Sequence, residues 1–122
     1  MSVEGPFMNQ QSPERRKHQR VSTKILIKYS NADRFFTDYI QNISRGGIFV
    51  PTHTPLPEGT RLSITFSLPH CEQSITTEGT VIRSLRADPE NDVGPSGMGI
   101  QFGKLDEEAQ KLIDAYVDSM LP

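Results

Sequence analysis

From Lys24 onward, apolar and polar residues alternate with a period of two. Ile25, Ile27 and Tyr29 fall on one face and Lys24, Leu26 and Lys28 on the other, which predicts a half-buried strand. Asn31-Ala32-Asp33 reads as a turn, and Phe35 to Ile43, rich in aromatic and β-branched residues, as the partner strand. Gly46-Gly47 interrupts the pattern and Ile48-Phe49-Val50 resumes it. Pro51, Pro55, Pro57 and Gly59 then mark an irregular loop, because each proline removes a ladder donor. The cleanest alternation follows: Leu62, Ile64, Phe66 and Leu68 against Arg61, Ser63, Thr65 and Ser67. After a turn at Pro69–Glu72, Ile75 to Leu85 reads as a long strand. Arg86 to Ser96 contains Pro89, Asn91, Gly94 and Pro95 and reads as a loop, and Met98, Ile100 and Phe102 form a last strand.

The period then changes. Asp106 is a plausible N-cap, with Glu107 and Glu108 complementing the positive helix terminus. Leu112, Ile113, Tyr116, Val117, Met120 and Leu121 form one stripe at helical spacing, read as core packing. Six antiparallel strands leave two exposed edges unless the sheet closes, and one helix covers only an end or a seam. The predicted fold is therefore mainly β: a six-stranded antiparallel β-barrel with one C-terminal α-helix at about residues 106–121.

Composition narrows the function classes. The chain has 122 residues, 34% of them hydrophobic and 23% charged, the size and composition of one soluble domain. Residues 1–13 are polar with no apolar pattern and read as a flexible tail before a domain spanning 14–122. There is no apolar run of transmembrane length and no secretory signal pattern, so no membrane insertion is expected. The single cysteine, Cys71, suits a reducing, cytoplasmic setting. The net charge of −2 argues against general polyanion binding, so no nucleic-acid partner is expected. Yet Arg15, Arg16, Lys17 and Arg20 lie within six positions, a local cluster that suggests a confined anion site.

Two motifs carry chemistry. Arg16 and Arg20 stand four apart just before the first strand. A guanidinium fork donates two parallel hydrogen bonds to phosphate oxygens or to the O6/N7 edge of guanine, a geometry lysine does not offer. Taken alone, the run also reads as a solvated basic stretch. The second motif is Asn42-Ile43-Ser44-Arg45-Gly46-Gly47. Asn42 and Ser44 project to one face of an extended chain and together present the donors and acceptors that read a purine edge. Gly46 and Gly47 permit positive φ and close approach of a ligand to the backbone. Taken alone, this run also reads as an ordinary β-turn.

In order, and separated by a hairpin, the two motifs resemble the PilZ family of cyclic di-GMP receptors, whose signatures are Arg-x-x-x-Arg and Asp/Asn-x-Ser-x-x-Gly. They stand here as Arg16 to Arg20 and Asn42 to Gly47, and the resemblance runs from about Glu14 to Leu121, through the Pro55–Gly59 turn and Gly97–Phe102. It implies that Arg16 and Arg20 grip phosphate and the Hoogsteen edge of guanine, that Asn42 and Ser44 bond a guanine, and that Gly46 and Gly47 form the turn. Arg15 fills the position thought to influence whether one messenger or a stacked pair binds, and an arginine there favours an intercalated pair. Some members bring a tryptophan to the ligand from a late strand; this chain has none, Val81 or Ile82 stands in that region, and neither is assigned that role.

The implied function is a stand-alone receptor or adaptor. Cyclic di-GMP would order residues 14–20 against the Asn42–Gly47 turn, and the changed surface would signal to an unidentified downstream protein. No cofactor and no catalysis are expected. Two alternatives remain: a PilZ-like protein-interaction domain that binds no nucleotide, and a small barrel binding single-stranded nucleic acid. The latter needs exposed aromatics, whereas most Phe and Tyr positions here read as core-facing. Other signals are weak. His70-Cys71 lacks an orienting third group, and His18, His53 and His70 lack zinc-ligand spacing. There is no phosphate-binding glycine loop, and Asp38 reads as the partner of a neighbouring lysine.

Overall fold

The computed structural model describes residues 19–86 and 96–122. The expected tail at 1–13, the arginines Arg15 and Arg16, and positions 87–95 of the predicted loop lie outside the described residues. The elements are β1 (Val21–Asn31), β2 (Arg34–Ile43), β3 (Gly47–Pro51), β4 (Arg61–Ser67), β5 (Ser74–Leu85), β6 (Gly97–Phe102) and α1 (Glu107–Met120). All pairings are antiparallel, in the order β1-β2-β3-β6-β5-β4, and β4 pairs back onto β1 to close the barrel. Closure gives every strand two partners and leaves no edge open.

The core is built mainly from β-branched residues that alternate inward, as period-two patterning requires. Ile27, Ile40, Ile43, Ile48, Val50 and Ile64 are fully buried. β1 begins at Val21, three residues before the alternation that predicted it, because Val21 is itself buried and pairs with Ile43. No helix among the described residues is long and apolar enough to cross a membrane.

One irregularity decides where the polar motif faces. In β2 the even positions Phe36, Asp38 and Ile40 pair with the inward-facing Tyr29, Ile27 and Ile25 of β1. Unbroken alternation would put Asn42 inside the barrel and Ile43 outside. Between the pairs Ser22–Asn42 and Ile25–Ile40, however, Thr23 and Lys24 oppose the single residue Gln41. This β-bulge reverses the phase of the remaining pairs. Ile43 is consequently buried completely, and Asn42 faces outward.

Two expectations need correction. Asp38 pairs not with a lysine but with the Tyr29 hydroxyl, which donates to Oδ2 at 2.6 Å. The inward phase of β2 brings the carboxylate to Tyr29, whose ring stacks on Phe36 at 4.9 Å between centroids. Met120 is half-exposed, because it lies in the last helical turn; Ala109, Ile113 and Val117 carry the buried stripe of α1, with Leu112, Tyr116 and Leu121 packed beside them. Most Phe and Tyr side chains among the described residues are buried or partly buried, as expected, whereas Phe35 and Tyr39 stand outside the barrel, 80% and 51% exposed, since the odd positions of β2 before the bulge face solvent.

The start of α1 follows its sequence signals. Asp106 caps it, its Oδ1 accepting from the Ala109 amide at 2.7 Å, with Glu107 and Glu108 in the first turn. Farther along, the Tyr116 hydroxyl lies 2.7 Å from Thr23 Oγ1 of β1.

Candidate functional site

The register of β1 and β2 brings the two motifs together. Val21 pairs with Ile43 and Ser22 with Asn42, and this register carried one residue further sets Arg20 opposite Ser44 and diagonal to Asn42. Diagonal neighbours of this kind lie within reach of a long side chain. Arg20 Nε donates to Asn42 Oδ1 at 2.5 Å and Nη1 donates to Ser44 Oγ at 3.3 Å. These partners are 22 and 24 positions apart in sequence, a separation spanned by the β1–β2 hairpin. The guanidinium is thus clamped through two of its five N–H donors, and the others remain for a ligand.

Ser44 is the hub of the turn. Its amide donates to the Gly47 carbonyl at 2.8 Å, its hydroxyl donates to the same carbonyl at 3.4 Å, and the Gly46 amide donates to its Oγ at 3.3 Å. The residue is only 3% exposed, so its side chain holds the turn and Arg20 from beneath. The two glycines differ from expectation. Neither adopts a positive φ; among the described residues the glycine that does is Gly59. Gly47 is required for closeness instead, because a Cβ there would collide with the Ile100 carbonyl oxygen of β6. Gly46 faces open space, where a Cβ would touch nothing.

Beside this corner lies a cavity of about 240 Å³. Its lining includes Arg20, Ser44, Gly47, Ile82, Gly99 and Gln101. Ile82 reaches it through a second bulge: Val81 pairs with Ile100 and Arg83 with Gly99, which leaves Ile82 unpaired and 56% exposed. Among the described residues, no carboxylate lines the cavity. Partial burial lowers the Arg20 pKa from its ordinary value, yet arginine stays protonated. The arrangement is a partly desolvated cation facing an acid-free pocket with one apolar wall, suited to an anion carrying a flat ring.

Of the sequence-predicted residues, Arg20, Asn42, Ser44, Gly46 and Gly47 are brought together, whereas Arg15 and Arg16 lie outside the described residues. Ile82, Gln101 and Arg45 are additions. Arg45, inside the turn motif, extends away from the cavity to α1, where it meets Asp118 and, at 3.7 Å, Asp114. The sequence clue for Ile82 is the pair of adjacent apolar residues Val81-Ile82, which breaks the alternation of β5.

A closed six-stranded barrel, a terminal helix and an arginine clamped over an Asn-x-Ser-x-x-Gly turn define a class of small β-barrel domains. The PilZ domain family model matches residues 14–119, and the chain belongs to that family. No curated protein sequence gives a significant match. Among solved structures, the Bacillus subtilis inhibitor of motility MotI/DgrA is similar at 22% identity and a TM-score of 0.70, over 82% of this chain and 48% of that one. The present chain thus spans about half the length of that relative. The PilZ domain of YcgR from Escherichia coli, solved with c-di-GMP, is similar at 17% identity and a TM-score of 0.63, over 87% of this chain and 91% of that one. PlzA from Borreliella burgdorferi, also solved with c-di-GMP, shares 21% identity at a TM-score of 0.53, over 95% of this chain and 45% of that one.

Proposed function

We propose that this PilZ domain is a cyclic di-GMP receptor that performs no chemistry on its ligand. The observation that carries the reading is the clamp of Arg20 by Asn42 and Ser44 at the mouth of an acid-free cavity. Membership of the PilZ family and the c-di-GMP named for similar structures support it. Arg20 offers its remaining N–H donors to phosphate or to the Hoogsteen edge of guanine. Asn42 keeps a second lone pair of its side-chain oxygen for the N–H donors of a base edge, and Ser44 with Gly46 and Gly47 shapes the turn beneath. The cavity is smaller than the roughly 300–1,000 Å³ typical of whole small-molecule sites, so it takes one part of the ligand. Arg16 and Arg15 are assigned to the remainder, closing over it from the segment before β1. Ligand-dependent ordering of that segment would change the surface offered to a downstream protein in the bacterial cytoplasm.

The test is titration calorimetry together with thermal shift, using cyclic di-GMP, GTP and an oligonucleotide side by side. A ligand that binds only the native state raises the melting temperature. Cyclic di-GMP alone is expected to do so, with affinity near the micromolar range, about −8 kcal/mol. Arg20→Ala is expected to abolish measurable binding at moderate salt. Equal binding by wild type and Arg20→Ala would overturn the assignment.

A further inference from the structure

We infer that the outer face of β1, β2 and β4 is a docking surface for an acidic segment of a partner protein, one that presents carboxylate and apolar side chains in turn along a single face. Three of the five large apolar side chains exposed among the described residues, Leu26, Phe35 and Tyr39, lie on this face. Leu26 pairs directly with Tyr39 across β1 and β2, and Phe35 pairs with Ser30 farther along the same strands. A clustered apolar patch rimmed by polar residues marks an interaction site, whereas scattered single residues do not.

The charge of the face selects the partner. A groove of about 480 Å³ runs beside Lys24, Leu26 and Lys28. A second, of about 250 Å³, continues past Lys28 and Thr65 to Phe35. Among the described residues neither groove is lined by a carboxylate, although the chain as a whole is acidic, with a net charge of −2. Lys24 and Lys28 project outward with Leu26 between them, roughly 13 Å apart along the strand. An extended segment with carboxylates at matching intervals would pair with both ammonium groups and lay its intervening apolar side chains on Leu26, Tyr39 and Phe35. The floor on the β4 side is a row of hydroxyls, Ser63, Thr65 and Ser67, which tolerates a polar backbone.

Two other occupants fit less well. A single strand of nucleic acid needs several open aromatic faces in a row, but the Lys24 ammonium sits over the Tyr39 ring at 5.4 Å from its centroid and leaves Phe35 as the open ring of this face. A second copy of this chain would bring the acidic helix α1, but its Asp114 and Asp118 already face Arg45 and Asp106 caps the helix. The face shares no lining residue with the cavity at Arg20, so both sites can be filled at once.

The experiment pans a display library of random short peptides against the full chain and measures the enriched peptides by fluorescence anisotropy. Enriched peptides are expected to carry an aromatic or aliphatic residue two positions from each Asp or Glu, so that both fall on one face of an extended chain. They are expected to bind at least about tenfold more weakly to K24E/K28E and to F35S/Y39S, both checked for unchanged circular dichroism. Enrichment of peptides without acidic residues, or undiminished binding to K24E/K28E, would overturn the proposal. Tighter binding of a single-stranded oligonucleotide than of any peptide would give the face to nucleic acid. Sedimentation showing self-association abolished by K24E/K28E would give it to a second copy. Either result would also overturn the proposal.

Discussion

Arg45, placed between Ser44 and Gly46 of the turn, forms an ion pair with Asp118 on the C-terminal helix. Asp114 lies 3.7 Å away on the same helix, and the Gln110 side chain donates to the Arg45 carbonyl at 3.4 Å. Arg45 Nε is buried and has no hydrogen-bond partner among the described residues, which leaves these carboxylates as the partners of the guanidinium. The turn that clamps Arg20 is therefore tied to α1 by both the side chain and the backbone of one residue.

The tie has a measurable consequence. D114N/D118N removes both carboxylates and leaves a partly buried cation without its counter-charges. Asp118 is half-exposed, so solvent screens the pair and the expected loss is modest, about 1 kcal/mol and smaller at high salt. Hydrogen exchange at the Gly46 and Gly47 amides is expected to quicken in the variant while β4 and β5 stay protected. Unchanged exchange in the turn would show that α1 does not restrain it.

Arg20→Lys tests geometry apart from charge. A lysine keeps the positive charge but cannot bond Asn42 and Ser44 through one planar fork and still present a bidentate edge. Cyclic di-GMP affinity is expected to fall at least about tenfold, the value of one charge-assisted hydrogen bond. Asn42→Asp, which keeps the acceptor facing Nε and adds a charge, is expected to retain the clamp and to bind. Calorimetry of the two variants beside wild type separates the outcomes, and full binding by Arg20→Lys would refute the fork.

Gly46 and Gly47, adjacent and identical in type, are expected to respond oppositely to alanine. At Gly47 the new methyl meets the Ile100 carbonyl in a barrel wall that cannot give way, so G47A is expected to cost about 2–3 kcal/mol. At Gly46 there is open space and no positive φ to strain, so G46A is expected to stay within about 1 kcal/mol of wild type. Urea unfolding of both variants checks the contrast.

Much of this site is legible in the chain because residue spacing and strand register encode the same geometry. The hairpin from Arg20 to Asn42 is long enough for two strands and a tight turn, and antiparallel pairing then has to bring its ends together. Alternation likewise locates the strands that close the barrel. It does not reveal the bulge opposite Gln41, because a phase slip of one residue depends on pairing between strands. Without that slip Asn42 would point inward, so the outward face of the motif rests on a feature that a linear pattern cannot show. The second bulge hides Ile82 in the same way. Arg45 is invisible for another reason: its partners are 69 and 73 residues away, on an element of different period.

The Tyr29–Asp38 pair makes a pH prediction. Burial, reinforced by the hydrogen bond to Asp38 and by its negative charge, raises the Tyr29 pKa well above its ordinary value. The folded state therefore favours the protonated phenol. A raised folded-state pKa gives stability that is complete below the unfolded pKa of about 10 and is lost as the pH climbs above it, because only the unfolded chain then ionises. Tyr29→Phe lacks this titration. It also leaves Asp38 without the phenol donor, so at neutral pH it is expected to be about 1–2 kcal/mol less stable than wild type. Denaturant unfolding from pH 7 to pH 11 is expected to show that gap constant up to about pH 10 and narrowing beyond it, with a slope of at most about 1.4 kcal/mol per pH unit. A gap that stays constant into alkali would mean that the phenol ionises as readily in the barrel as in the unfolded chain. Tyr29 would then not be the shielded donor that its 2.6 Å contact with Asp38 describes.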